Sequence, residues 1–182
     1  MKKLMIVLAA IALAGATQAA TMSWSIMQMQ SKGVEGGWIV ALYDGSTTFD
    51  YAKAKDGTLP ALYTATTSAS TTGIVSLSST GNNKPNSTTP FSPGDSISAY
   101  AVIFNAATIA DATQYMVSSV KSATVNNQGS NISLAFGSMA ATTTMNTFLN
   151  STFQPTSGVP EPTSGLLMLV GLGALALRRR KA

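Results

Sequence analysis

Large apolar residues alternate with small polar ones in short runs along this chain, and that period of two narrows its possible folds most. Met22, Trp24 and Ile26 are separated by Ser23 and Ser25, which puts the three large groups on one face of a strand and the serines on the other. Residues 38–43 are an apolar run stopped by the turn pair Asp44-Gly45, and residues 59–67 and 74–78 are further strand candidates. Residues 97–105 (Ile-Ser-Ala-Tyr-Ala-Val-Ile-Phe-Asn) form the strongest strand candidate, entered through Pro93-Gly94-Asp95. A small-residue connection over 106–113 leads into 114–125, where alternation sets Tyr115 and Val117 against Met116, Ser118 and Val120. Asn126-Asn127-Gln128-Gly129 tolerates positive φ and returns the chain into 131–136. These last three strands are expected to form a meander or part of a Greek key.

Two stretches break the pattern. Residues 48–55 have Asp50 near their start, lysines near their end and Asp56-Gly57 behind them, which predicts two turns of helix. Residues 81–93 carry three prolines and three asparagines and are expected to be a long exposed loop. Seven or so strands with turn signals between them predict an all-β fold, a single β-sandwich-like domain over 20–137. Residues 138–158 mix alanine, threonine and asparagine without a period. They are expected to be a partly ordered spacer, with Phe148, Leu149 and Phe153 touching the core.

The two ends differ from this body. Lys2 and Lys3 precede an apolar run over 4–16, and Thr17 and Ala19 supply small residues at −3 and −1 of a cleavage site between Ala19 and Ala20. Residues 1–19 therefore have the layout of a signal peptide, which makes Sec-type export machinery and signal peptidase the expected partners. At the other end, Pro160-Glu161-Pro162 precedes an uncharged apolar run over 163–177 and the cations Arg178, Arg179, Arg180 and Lys181. Two prolines lack the N–H for a helix interior or a central strand. The apolar run predicts a short helix of about 22 Å, and the four cations would stop transfer on the cytoplasmic side.

Once these ends are set aside, the charge argument changes. The whole chain carries +4, yet Lys2, Lys3, Arg178, Arg179, Arg180 and Lys181 supply six of its eleven cations. Between residues 20 and 159 five lysines face six acids, a net charge of −1. The cations report export and topology, and nucleic acid is excluded as a partner. Serine and threonine make up 42 of those 140 residues, and cysteine is absent, so an exported domain must be held by its core alone.

The tripartite tail over 159–182 resembles the PEP-CTERM sorting signal of Gram-negative bacteria, the proposed substrate signal of exosortases. A Gram-positive sortase signal would need Leu-Pro-x-Thr-Gly, and Pro162 stands where its threonine belongs. The body also looks like small PEP-CTERM proteins with a Thr/Ser/Asn-rich extracellular part. The matching pieces are residues 100–104, 110–112 and 115–118 and Phe136-Gly137. The resemblance implies an exosortase-like processing enzyme, a precursor transiently tethered in the inner membrane, and a mature protein at the cell surface or in the extracellular matrix. It implies no catalytic residues.

The residue inventory points the same way. Without histidine or cysteine the usual general base, thiol nucleophile and most zinc sites are missing. Ser118 and Lys121 have Ser-x-x-Lys spacing but fall on a predicted strand, where that spacing does not align them. Asp44, Asp56 and Asp95 each adjoin glycine and are expected in turns. No enzyme activity, cofactor or metal is therefore expected. Residues 64–72 are a hydroxyl-rich run open to O-glycosylation, with a polar edge strand or loop as the simpler reading. Asn86, Asn131 and Asn150 begin glycosylation triplets at the frequency chance supplies. The expected function is a non-enzymatic envelope or matrix protein, in contact with extracellular polysaccharide. The alternative is a surface adhesin or carbohydrate-binding module that stacks sugars on Trp24, Trp38, Tyr43, Tyr51 and Tyr63.

Overall fold

A computed structural model describes residues 20–126 and 131–156. The expected signal peptide over 1–19, apart from its cleavage neighbour Ala20, lies outside the described residues, as does the whole tail from 157. Among the described residues no helix is long and apolar enough to cross a membrane.

The described residues form an all-β unit in two sheets. One carries β1 (Met22–Met27), β4 (Ser68–Ala69), β5 (Val75–Gly81) and β9 (Ile132–Ser138), in the order β4-β5-β1-β9. The other carries β2 (Ile39–Asp44), β3 (Tyr63–Thr66), β6 (Ser96–Phe104), β7 (Gln114–Val117) and β10 (Gln154–Pro155), in the order β10-β7-β6-β2-β3, with β8 (Lys121–Thr124) also on β6. Their facing sides make the main core, with Met22, Trp24, Ile26, Leu134 and Phe136 from the first sheet against Val40, Leu42, Ile103 and Met116 from the second.

The second sheet is buried on its far side too. Ala41, Tyr43, Tyr100, Val102 and Phe104 point outward into a second apolar cluster. Covering it are the connection from β2 to β3, which holds helix α1 (Tyr51–Asp56), and the connection from β6 to β7. Burial on both faces explains why β2 and β6 read as nearly continuous apolar runs. Asp50 caps α1 by accepting the Lys53 N–H at 3.2 Å, and Gly57 at φ 83° ends it. The Tyr51 hydroxyl shares its proton between the carbonyls of Ile109 and Ala112, at 2.8 and 3.1 Å, which ties down the turn at 109–111 in the 106–113 connection.

Three sequence expectations change. The strand expected over 114–125 is two, β7 and β8, both antiparallel to β6 but with registers one residue apart. The extra residue is a bulge at Ser118–Val120, which reverses the faces beyond it. Val120, expected beside Met116, is therefore 48% exposed, while Val125 turns into the core. Second, β9 does not continue a meander. It crosses to the other sheet and runs parallel to β1.

The third concerns the expected spacer, where Phe148 and Phe153 touch the core as expected but the surrounding chain is packed as well. Phe148 is fully buried, and Met139, Asn146 and Thr147 are nearly so. Asn146 donates to the carbonyls of Met139 and Ala141 and accepts the Phe148 N–H, closing a compact loop. Gly137, at φ 84°, is crossed so closely that an added Cβ would stand 2.1 Å from the Met145 carbonyl oxygen. The packed unit therefore runs on to Thr156 and does not stop at 137. Within 81–93 the loop is exposed as expected, except that Phe91 is buried and bridges Ala20.

Candidate functional site

Three places carried a functional expectation: the chain's exit toward the tail, its aromatics, and its few acids and lysines. The exit is a strap along the free edge of β7. Ser119 N–H donates to the Thr147 carbonyl at 2.9 Å, and the Ser151 hydroxyl to the Val117 carbonyl at 2.5 Å. Gln154 and Pro155 then pair with Tyr115 and Gln114. Thr156 finishes the strap, donating its N–H to the Thr113 carbonyl and its hydroxyl to the Ala112 carbonyl, both at 2.9 Å. Phe153 packs edge-on to Trp38 with ring centroids 5.8 Å apart. Pro155 is tolerated because the carbonyl of Gln114, its partner, accepts the N–H of Asn105, the residue after β6, so no hydrogen bond is needed on the Pro155 side. Nothing in the composition of 139–156 announces this strap; only the isolated Phe148 and Phe153 hinted at it.

The aromatics proposed as a sugar platform are spent inside the fold. Trp24 and Tyr43 are buried in opposite clusters. Tyr51 stacks on Tyr115 at 6.0 Å, with its hydroxyl engaged as above, and the Tyr63 hydroxyl donates to the Asn83 carbonyl. Burial pushes the phenols of Tyr43, Tyr63 and Tyr100 upward, most of all Tyr43. Tyr43 stacks on Tyr100 at 5.8 Å, and its hydroxyl has no hydrogen-bond partner among the described residues. These side chains are not gathered on one open surface.

What the domain exposes instead is hydroxyl. On the outer face of the four-stranded sheet, register sets Thr80, Ser23 and Ser133 in one row and Ser78, Ser25 and Ala135 in the next, with Ser76 and Ser68 beyond. Strands about 4.8 Å apart and alternate residues about 6.8 Å apart make this an uncharged grid of donors and acceptors.

The acids are tied into local contacts. The Ser46 hydroxyl and N–H hold Asp44 below the usual carboxylate range, and those of Thr58 do the same for Asp56. Asp95 is held down by Lys84 at 2.9 Å and the Ser92 N–H. Ser118, of the Ser-x-x-Lys spacing, accepts the Ala101 N–H at 2.9 Å and donates to the Ser119 carbonyl at 2.8 Å, so its hydroxyl plugs the bulge. Among the described residues no group of three acids, histidines or cysteines converges as a metal site would require. Of the glycosylation candidates, Thr67 is buried and bonded to the Glu35 carbonyl, while Thr64, Thr66, Ser68 and residues 70–72 are exposed. Asn86 lies exposed at φ 55° and Asn150 is exposed on the strap.

Pro160, Glu161, Pro162, Arg178, Arg179, Arg180, Lys181 and Ala19 lie outside the described residues. Ala20 is at the core's edge, 1% exposed. No curated protein and no solved structure matches the chain. Residues 158–181, beginning two positions after the strap's last hydrogen bonds, match the family model of the PEP-CTERM protein-sorting motif. The chain therefore carries the sorting motif of exported, exosortase-dependent proteins.

Proposed function

We propose that this is a non-enzymatic protein of the bacterial envelope or extracellular matrix, delivered there by its tail. A signal peptide over 1–19 starts export, and cleavage after Ala19 releases it. Residues 163–177 then hold the precursor in the inner membrane, with Arg178, Arg179, Arg180 and Lys181 on the cytoplasmic side. An exosortase-like enzyme recognises Pro160, Glu161 and Pro162 and frees the domain for the cell surface or an extracellular polysaccharide matrix. The observation that carries this reading is the motif match over 158–181 directly behind a packed β-domain. The local contacts of the acids and the structural use of Ser118 support a role without turnover.

Mass spectrometry of the mature C-terminus tests it. Wild-type protein should lack residues 163–182, and replacing Pro160, Glu161 and Pro162 together by alanine should leave them attached in the inner membrane. A surface protein that keeps residues 163–182 would instead make the tail a plain anchor.

A second reading, surface adhesin or carbohydrate-binding module, draws on one observation, the uncharged hydroxyl grid on the four-stranded sheet. Glycan-array binding abolished by Ser23→Lys and Ser78→Lys, with the fold retained, would favour it over the matrix role.

A further inference from the structure

The strap changes how far the sorting motif can stand from the domain. Had residues 138–158 been free, Pro160 could lie about 80 Å from Gly137, at up to about 3.5 Å per residue. Thr156 is instead fastened to Ala112 and Thr113. Only residues 157–159 separate it from Pro160, so four residue steps of about 3.5 Å leave the motif at most about 14 Å from the domain, whatever their conformation. That is about one radius of gyration for a domain of this size. On the sorting reading, the apolar run begins at Thr163, so the motif is hemmed in by the bilayer on one side and the domain on the other.

The strap is less buried along its outer part than at its inner end. Its outer part is held by half-buried Ser151, Phe153 and Thr156 alone: Asn150, Thr152, Gln154 and Pro155 are exposed, and β10 is two residues long. Its inner end is fixed, with Phe148 fully buried and Asn146 closing the loop beneath it. Opening should therefore run from Thr156 back to Leu149 and stop at Phe148, as local openings follow the least buried contacts. That would lengthen the reach from Phe148 to Pro160 to about 40 Å over twelve residue steps.

We propose that residues 149–156 are a latch on tail processing: docked on β7 they withhold the motif, and the species processed is the one in which they have peeled away. This rests on the sorting reading above and adds a positioning role for Phe153 and Thr156.

The absence of cysteine makes the latch lockable. Pro155 and Gln114 are partners at a non-hydrogen-bonded position, where Cα atoms lie about 4.5 Å apart, within disulfide range. Full-length precursor carrying Gln114→Cys and Pro155→Cys, in membranes that contain its processing enzyme, would be followed by mass spectrometry with and without reductant. The oxidised form should be processed at least ten-fold more slowly than wild type, and reductant should restore the rate. In the wild-type background, a twelve-residue Gly/Ser insertion between Ser157 and Gly158 should raise the rate several-fold. This arm does not depend on the disulfide variant's folding. Processing of the locked form at the wild-type rate, or an insertion without effect, overturns the latch. If alanine at Pro160, Glu161 and Pro162 still blocks processing in that case, the latch alone has failed. If that alanine variant is processed like wild type, the sorting reading has failed and the latch with it.

Discussion

Tyr43 shows what its position in a two-sided sheet costs. Its ring contributes to the second apolar cluster, stacked on Tyr100 and edge-on to Phe49 at 5.3 Å, while its hydroxyl is buried without a partner among the described residues. An unsatisfied buried hydroxyl costs about 1–3 kcal/mol, so Tyr43→Phe should stabilise the domain, by about 1 kcal/mol in urea unfolding after allowance for local repacking. The same substitution should alter the pH dependence. An unfolded tyrosine ionises near pH 10, whereas burial makes the folded Tyr43 keep its proton well above that. The folded chain then binds more protons than the unfolded one, so stability is intact below about pH 10 and falls as pH rises beyond it. Tyr43→Phe should flatten that fall, with Tyr63 and Tyr100 keeping a smaller part of it. Unfolding curves at pH 8 and pH 11 for both proteins would show the difference; equal slopes would mean that Tyr43 is not the group responsible.

At the scale of elements, what could be read from the sequence follows how local each signal is. β1 and β6 were legible because alternation, or an unbroken apolar run, is carried by the strand itself. The helix behind Asp50 was legible because its cap and its closing glycine are neighbours in sequence. The break between β7 and β8 was not, since Ser118 looks like one more polar member of an alternating run. Only the paired strand reveals that its hydroxyl stands in for a backbone acceptor to Ala101. The crossing of β9 is a long-range pairing with β1, more than a hundred residues earlier, and no local pattern encodes that. The bulge predicts its own test. Ser118→Ala would leave the buried Ala101 N–H without its acceptor and should destabilise by about 1–3 kcal/mol, whereas Ser119→Ala should change little because that hydroxyl makes no contact the fold depends on. Chemical denaturation of the two variants separates the roles, and equal losses would contradict the plug.

For the whole molecule, the decisive question is where the domain ends. The sequence placed the boundary at 137 because 138–158 has no period, and a stretch that packs as a loop and a strap has none to show. Its burial depends on single residues: Phe148 inside the main core, Asn146 tying the loop shut, Phe153 against Trp38. Loss of one fully buried phenylalanine side chain costs about 3–5 kcal/mol, a large part of the 5–15 kcal/mol that holds a typical domain. The edge of β7 would also lose its covering strand. A chain spanning 20–156 should therefore unfold cooperatively and at nearly the same temperature as one spanning 20–159. A chain spanning 20–137 should lose several kcal/mol and expose apolar surface that a hydrophobic dye detects, with Phe148→Ala in the longer chain reproducing much of that loss. If the shorter chain melted like the longer one, residues 138–156 would be decoration on a finished fold, and the distance from the domain to the sorting motif would no longer be set by packing.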